Sequence, residues 1–138
     1  MSAAARRVLF VEGDESLRLL VQRVLSRGGI EADLTGEAHD AIRRLATEKY
    51  QVVVIDLVAN DSTPHEVIRA LSLIPPRTRP VVIATGDPSG NSRLDAEVIS
   101  LVLRKPYDVQ ALAEIIGSSI SIDLGAIPNE ADEGLPLC

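Results

Sequence analysis

Continuous apolar runs punctuate this chain at Val8–Val11, Val52–Ile55, Val81–Ala84 and Leu101–Leu103. Each is too short for a helix, and all are rich in β-branched or aliphatic residues, the pattern of strands buried on both faces of a parallel sheet. A further run, Ile30–Leu34, alternates with Glu31 and Asp33 and predicts a strand with one face exposed. Between these runs the spacing changes to three and four. Leu17, Leu20, Val21, Val24 and Leu25 share one face of a helix beginning near Ser16, with Gly28 and Gly29 available as its left-handed cap. Ala38, Ala41, Ile42 and Leu45 oppose Glu37, Asp40, Arg43 and Arg44 on a second helix. Thr63-Pro64-His65-Glu66 reads as a capping box with proline at the first helical position, and the helix it opens buries Val67, Ile68, Leu71 and Ile74 before stopping at Pro75-Pro76. Turn residues from Asp87 to Asn91 leave only Ser92 to about Ile99 for a short helix. Asp108 caps a last helix carrying Val109, Leu112, Ile115 and Ile116, which Gly117 is expected to end.

Strands alternating with helices imply right-handed crossovers, a parallel sheet and helices on both faces, the doubly wound α/β class. The expected organisation is an N-terminal extension at 1–6, one domain at 7–117 and a flexible acidic tail at 118–138, where periodicity fades. With 138 residues, 46% hydrophobic and 25% charged, a single globular domain is the natural reading. No apolar run spans a bilayer and no secretory core follows the N-terminus, so a soluble, cytoplasmic protein is expected. The one cysteine, Cys138, excludes an intrachain disulfide. A net charge of −6 argues against direct nucleic-acid binding. His39 and His65 lack metal-ligand spacing and read as surface residues.

Ligands in such sheets bind beyond the strand C-termini, and the residues just past each strand are chemically pointed. Glu12, Gly13 and Asp14 follow the first, Asp56 the third, Thr85 the fourth and Lys105 the fifth. Carboxylates suit a hard cation such as Mg²⁺. An aspartate beside it can attack a phosphoryl group, while a metal, an ammonium and a hydroxyl each stabilise one of the transferring oxygens. Taken singly, Asp56 could equally cap a turn, and Glu12 and Asp14 could be solvated first-turn acids.

Four blocks in this order, Val8-Leu9-Phe10-Val11-Glu12-Gly13-Asp14-Glu15, Val53-Val54-Ile55-Asp56-Leu57, Val82-Ile83-Ala84-Thr85-Gly86 and Lys105-Pro106-Tyr107-Asp108, resemble the signature segments of response-regulator receiver domains, over about Arg7 to Gly117. The resemblance implies a five-stranded sheet ordered 2-1-3-4-5 and a cis peptide before Pro106. It also implies Asp56 as phosphoacceptor, Lys105 as the phosphate-pairing lysine and Thr85 as the switch hydroxyl. The metal, Mg²⁺, would be held by Glu12, Asp14, Asp56 and the backbone carbonyl of Val58. The partners implied are a sensor histidine kinase or phosphotransfer protein and a downstream protein target, with no membrane insertion. Catalysis would extend at most to self-phosphotransfer and autodephosphorylation.

The chain departs from that pattern in ways that bear on function. Gly13 stands where a second acid is usual, so a weak metal site is expected. Val102 replaces the usual aromatic, Asn60 and Pro64 replace a proline and a glycine, and the Thr85–Lys105 span is about two residues short. Val58 and Asp87 occupy positions that tune acyl-phosphate hydrolysis, and an apolar Val58 implies a long-lived phosphoform. Two functions are therefore weighed: a phosphorylatable receiver that signals by docking, and a phosphorylation-independent pseudo-receiver. A flavodoxin-like or nucleotide-binding enzyme lacks a cofactor motif, and Thr85–Gly90 reads as a turn rather than a phosphate loop.

Overall fold

The structure is a computed structural model that describes residues 7–58, 63–86 and 97–123, the last three by backbone only. Its strands are β1 (Arg7–Val11), β2 (Glu31–Thr35), β3 (Val52–Asp56), β4 (Val81–Thr85) and β5 (Leu101–Leu103). Its helices are α1 (Glu15–Arg27), α2 (Ala38–Thr47), α3 (Thr63–Ser72) and α4 (Val109–Asp123). All strand pairings are parallel, in the order β2-β1-β3-β4-β5.

Strand alternation divides the core into two layers. Leu9, Val11, Val53, Ile55 and Val82 face α2 and α3, where Ala38, Ala41, Val67, Ile68 and Leu71 meet them. Val8, Phe10, Val52, Val54 and Ile83 face the other way, against Val21 and Leu25 of α1 and Leu112, Ile116 and Ile120 of α4. β3 is buried along its whole length, as a central strand with both faces covered must be. β2 is only partly buried, as its alternating pattern predicts.

The helix ends follow local chemistry. Asp14, two residues ahead of Ser16, caps α1 by accepting from the Ser16 and Leu17 amides at 2.9 and 3.3 Å. Gly29 takes the left-handed conformation at φ 77°, and the Ile30 amide closes the turn on the Leu25 carbonyl. Asp108 accepts from the Gln110 amide at 3.0 Å and starts α4 as expected.

Gly117 does not end that helix. α4 continues to Asp123 and carries the ordered chain past the expected boundary at 117. Leu112, Ile116 and Ile120 fall on one face at a spacing of four, and Ile120 is 2% exposed. Burying an isoleucine contributes about 1.5–3 kcal/mol, which outweighs the roughly 1 kcal/mol that a helical glycine costs. The remainder of the expected tail, 124–138, lies outside the described residues, as do most of the expected 92–99 helix, Asn60 and Asp87. Glu97 and Val98 are helical, with Val98 buried.

On the β2 edge, Asp33 gathers charge. Its Oδ2 accepts from Arg7 Nη2 and the Tyr50 hydroxyl, each at 2.6 Å, and lies 3.6 Å from Arg44 Nη1. Arg7 also pairs with Glu48 and stacks over the Tyr50 ring, while Asp40 binds Arg43 and Arg44.

Candidate functional site

The C-terminal ends of β1, β3 and β4 bring three of the expected residues to one place, and the turn after β5 supplies a fourth. Asp56 and Thr85, each last in its strand, are partners in the β3–β4 register, and the Leu57 amide donates to the Thr85 carbonyl at 2.8 Å. Lys105 Nζ lies 3.1 Å from Asp56 Oδ1 and 3.7 Å from Glu12 Oε1. The Lys105–Pro106 peptide is cis. Asp56 Oδ1 also accepts from the Val58 amide at 3.0 Å.

Burial sharpens the electrostatics. Glu12 is 3% exposed, Asp56 8% and Thr85 0%. Two carboxylates thus sit in the sheet edge with one ammonium between them. The Glu12 carboxyl is held above its usual range, first by burial and then by the Asp56 charge, against the pull of the Asp14 amide and Lys105. The Asp14 amide donates to Glu12 Oε2 at 3.1 Å, whereas Glu12 Oε1 has no hydrogen-bond partner, Lys105 being an ionic neighbour only. The Thr85 and Tyr107 hydroxyl oxygens are likewise buried and unpartnered among the described residues. A buried polar atom left so costs roughly 1–3 kcal/mol, and such atoms cluster where a ligand completes them.

Asp14 departs from its expected place. It is exposed, and its carboxylate is used in capping α1, so it does not join Glu12 and Asp56. Gly13 leaves open space: a Cβ built there meets nothing within 4 Å. No group of three or more His, Cys, Asp or Glu side chains is disposed to hold a metal among the described residues. The donor set is therefore two carboxylates, Glu12 and Asp56, one carrying an unsatisfied buried oxygen. This suits a divalent cation that keeps most of its waters, as Mg²⁺ does when held by one or two carboxylates and a phosphate.

Three contributors were not singled out from the sequence. Arg18 Nη1 donates to the Glu12 carbonyl at 2.6 Å and pins the β1–α1 turn. Gly86, at φ 119°, lets the β4 exit pass close to the turn after β3, where an added Cβ would stand 2.7 Å from Val58 Cγ2. Tyr107 directs its hydroxyl into the buried region, where burial and then the Glu12 and Asp56 charges push the phenol up to about 12. Position 107 lay within the Lys-Pro-Tyr-Asp block, but an aromatic after a strand reads as core until its oxygen is placed. Val102 lies half-buried in β5, in register with Ala84. His39 and His65 are exposed, as expected.

A five-stranded 2-1-3-4-5 sheet with an acid-lined C-terminal edge, an aspartate on the central strand and a lysine before a cis proline has the fold of a response-regulator receiver domain. Solved structures agree. The chain resembles a CheY-like response regulator receiver domain from Methylobacillus flagellatus (24% identical, TM-score 0.69, covering 83% of this chain and 98% of that one). It also resembles one from Methanospirillum hungatei JF-1 (18% identical, TM-score 0.73, covering 86% and 96%). Among curated proteins it is 28% identical over 143 residues to the DNA-binding transcriptional regulator NtrC of Azospirillum brasilense, covering 99% of this chain and 29% of that protein. The chain thus spans under a third of the length of the curated relatives it matches. No protein-family model matches it.

Proposed function

We propose that this chain is a phosphorylatable receiver in which Asp56 accepts a phosphoryl group from a histidine kinase or phosphotransfer protein and the phosphorylated form signals by docking to a protein target. The observation that carries this reading is the Lys105 ammonium 3.1 Å from Asp56, with the buried, unpartnered Thr85 hydroxyl in register beside it. Asp56 Oδ1 is engaged by Lys105 and the Val58 amide, which leaves Oδ2 to attack phosphorus. The new bond is Oδ2–P and the broken one is the P–N bond of the donor phosphohistidine. Its nitrogen keeps the electron pair and is reprotonated from solvent. Lys105 and Thr85 then stabilise phosphoryl oxygens as charge develops on them. A divalent cation held by Glu12 and Asp56, most simply Mg²⁺, would add neutralising charge at the same oxygens. The lost carboxylate at position 13 makes that cation weakly held.

A cytoplasmic location goes with this reading, and among the described residues no helix is long and apolar enough to cross a membrane. The net charge of −6 favours a protein partner over nucleic acid. Incubation with acetyl phosphate and millimolar Mg²⁺, followed by intact-mass measurement, should add one phosphoryl group to the wild type and none to Asp56→Asn. An unmodified wild type that also fails to bind beryllofluoride would leave a phosphorylation-independent interaction module.

A further inference from the structure

Arg18, Glu12 and Gly36 meet where the turn after β1 passes the turn after β2. Arg18 Nη1 donates to the Glu12 carbonyl at 2.6 Å. A Cβ built on Gly36 would stand 2.8 Å from that nitrogen, 3.3 Å from that oxygen and 3.5 Å from Gly13 Cα. Gly36 has no positive φ, so its backbone does not call for glycine, whereas room for the guanidinium does. Gly13 shows why such a hold is needed. It is exposed, a Cβ there touches nothing, and glycine rotates more freely than any other residue, so nothing at position 13 fixes the Glu12–Gly13 peptide plane. On the other side of that plane the Glu12 amide is tied to the Thr35 carbonyl at 2.9 Å, and Glu12 Oε2 accepts from the Asp14 amide at 3.1 Å. Rotating the plane would carry the Asp14 amide away from Oε2. A carboxylate that is 3% exposed would then have neither oxygen hydrogen-bonded, since Oε1 has no such partner.

We propose that Arg18 is a positioning residue: seated in the clearance left by Gly36, it locks the Glu12–Gly13 peptide and so presents the Glu12 carboxylate to the cation of the site. It acts through the Glu12 backbone and not on the phosphoryl group. The proposal rests on the reading of Glu12 and Asp56 as a cation-assisted phosphoacceptor site. It makes Arg18 of α1 and Gly36 of the β2–α2 turn one device, which steadies a turn that lacks its second acid. Groups that steer a metal-binding residue are worth about 10–100-fold in affinity.

Mg²⁺ titration of the full chain, followed by amide chemical shifts, tests this. Arg18→Met should raise the half-saturating concentration about tenfold, and Arg18→Lys, which keeps a donor at similar reach, should return most of the loss. Gly36→Ala places a methyl first against the far end of a flexible side chain, so it should match Arg18→Met and stands in for it should that variant fold poorly. The double variant should be no weaker than either single one. Deleting a cation that acted by charge alone would instead tighten Mg²⁺ binding. In metal-free protein the Asp14 amide resonance, which reports the bond to Glu12 Oε2, should shift in Arg18→Met and Gly36→Ala and return in Arg18→Lys. An Asp14 resonance that stays in place overturns the proposal. So does an additive double variant, or unchanged or tightened binding in the variants when the wild type binds the ion. A shifted Asp14 resonance alongside a wild type that takes up no Mg²⁺ upholds the lock and overturns the cation reading instead.

Discussion

Replacing Lys105 by methionine keeps most of its stem and removes the cation that bridges Glu12 and Asp56. At 3.1 and 3.7 Å, with an effective dielectric near 20, the two attractions amount to about 5 and 4 kcal/mol. The desolvation of the ion pair and the 30% exposure of the lysine side chain offset most of that. A net loss of about 2–3 kcal/mol at pH 8 is expected, below the roughly 3–5 kcal/mol of fully buried pairs broken at one partner because the lysine is partly exposed. The pH dependence is the sharper part. Glu12 has a raised folded-state pKa, so the folded protein holds a proton that the unfolded chain releases, and stability falls as pH rises from the ordinary glutamate range to the folded value. Lys105 opposes that rise. Without it the decline extends to higher pH, at about 1.4 kcal/mol for each further unit. Urea unfolding followed by circular dichroism should therefore show Lys105→Met costing less at pH 5 than at pH 8, by the share that the pairing with Glu12 contributes. An equal loss at both pH values would refute the argument, because it would mean that the lysine's contribution does not pass through Glu12.

Gly13→Asp, entering open space, should tighten Mg²⁺ binding about tenfold by titration calorimetry while lowering metal-free stability through added like charge. Val58 is 55% exposed and apolar, so Val58→Asn should shorten the lifetime of the phosphorylated protein severalfold, followed by loss of the phosphoryl mass with time. Two glycines should respond oppositely to alanine in thermal unfolding. Gly86→Ala should cost about 1–3 kcal/mol through its positive φ and the Val58 clash, whereas Gly117→Ala, inside α4 with free space around it, should gain roughly 0.5–1 kcal/mol.

Periodicity carried the fold because four of the five strands are short, apolar runs and the fifth alternates, and the two core layers are read directly from alternate positions in Val8–Val11 and Val52–Ile55. The strand order required the resemblance, since apolar runs do not say which strands are neighbours. Gly117 misled because local propensity was weighed without the buried Ile120 one turn later. At the site, Asp56, Thr85, Lys105 and Glu12 were legible from their places at strand ends. Asp14 was not, since an acid after a strand serves a metal and a helix N-terminus equally well, and only coordinates distinguish them. Arg18 reaches the Glu12 carbonyl through a single donor delivered from a helix flank, a contact that leaves no pattern in spacing.

The ionic knot at Asp33 has a bearing on how this molecule behaves in a crowded solution. A sheet open at both margins invites another chain to add a strand, with aggregation to follow. At one margin β2 carries a carboxylate tethered to two arginines and a tyrosine, so an incoming strand would have to strip those partners away. At the other, β5 offers three residues, too few to template a lasting ladder. The fold thus leaves the business end of its sheet open to small anions while keeping its flanks closed to its neighbours.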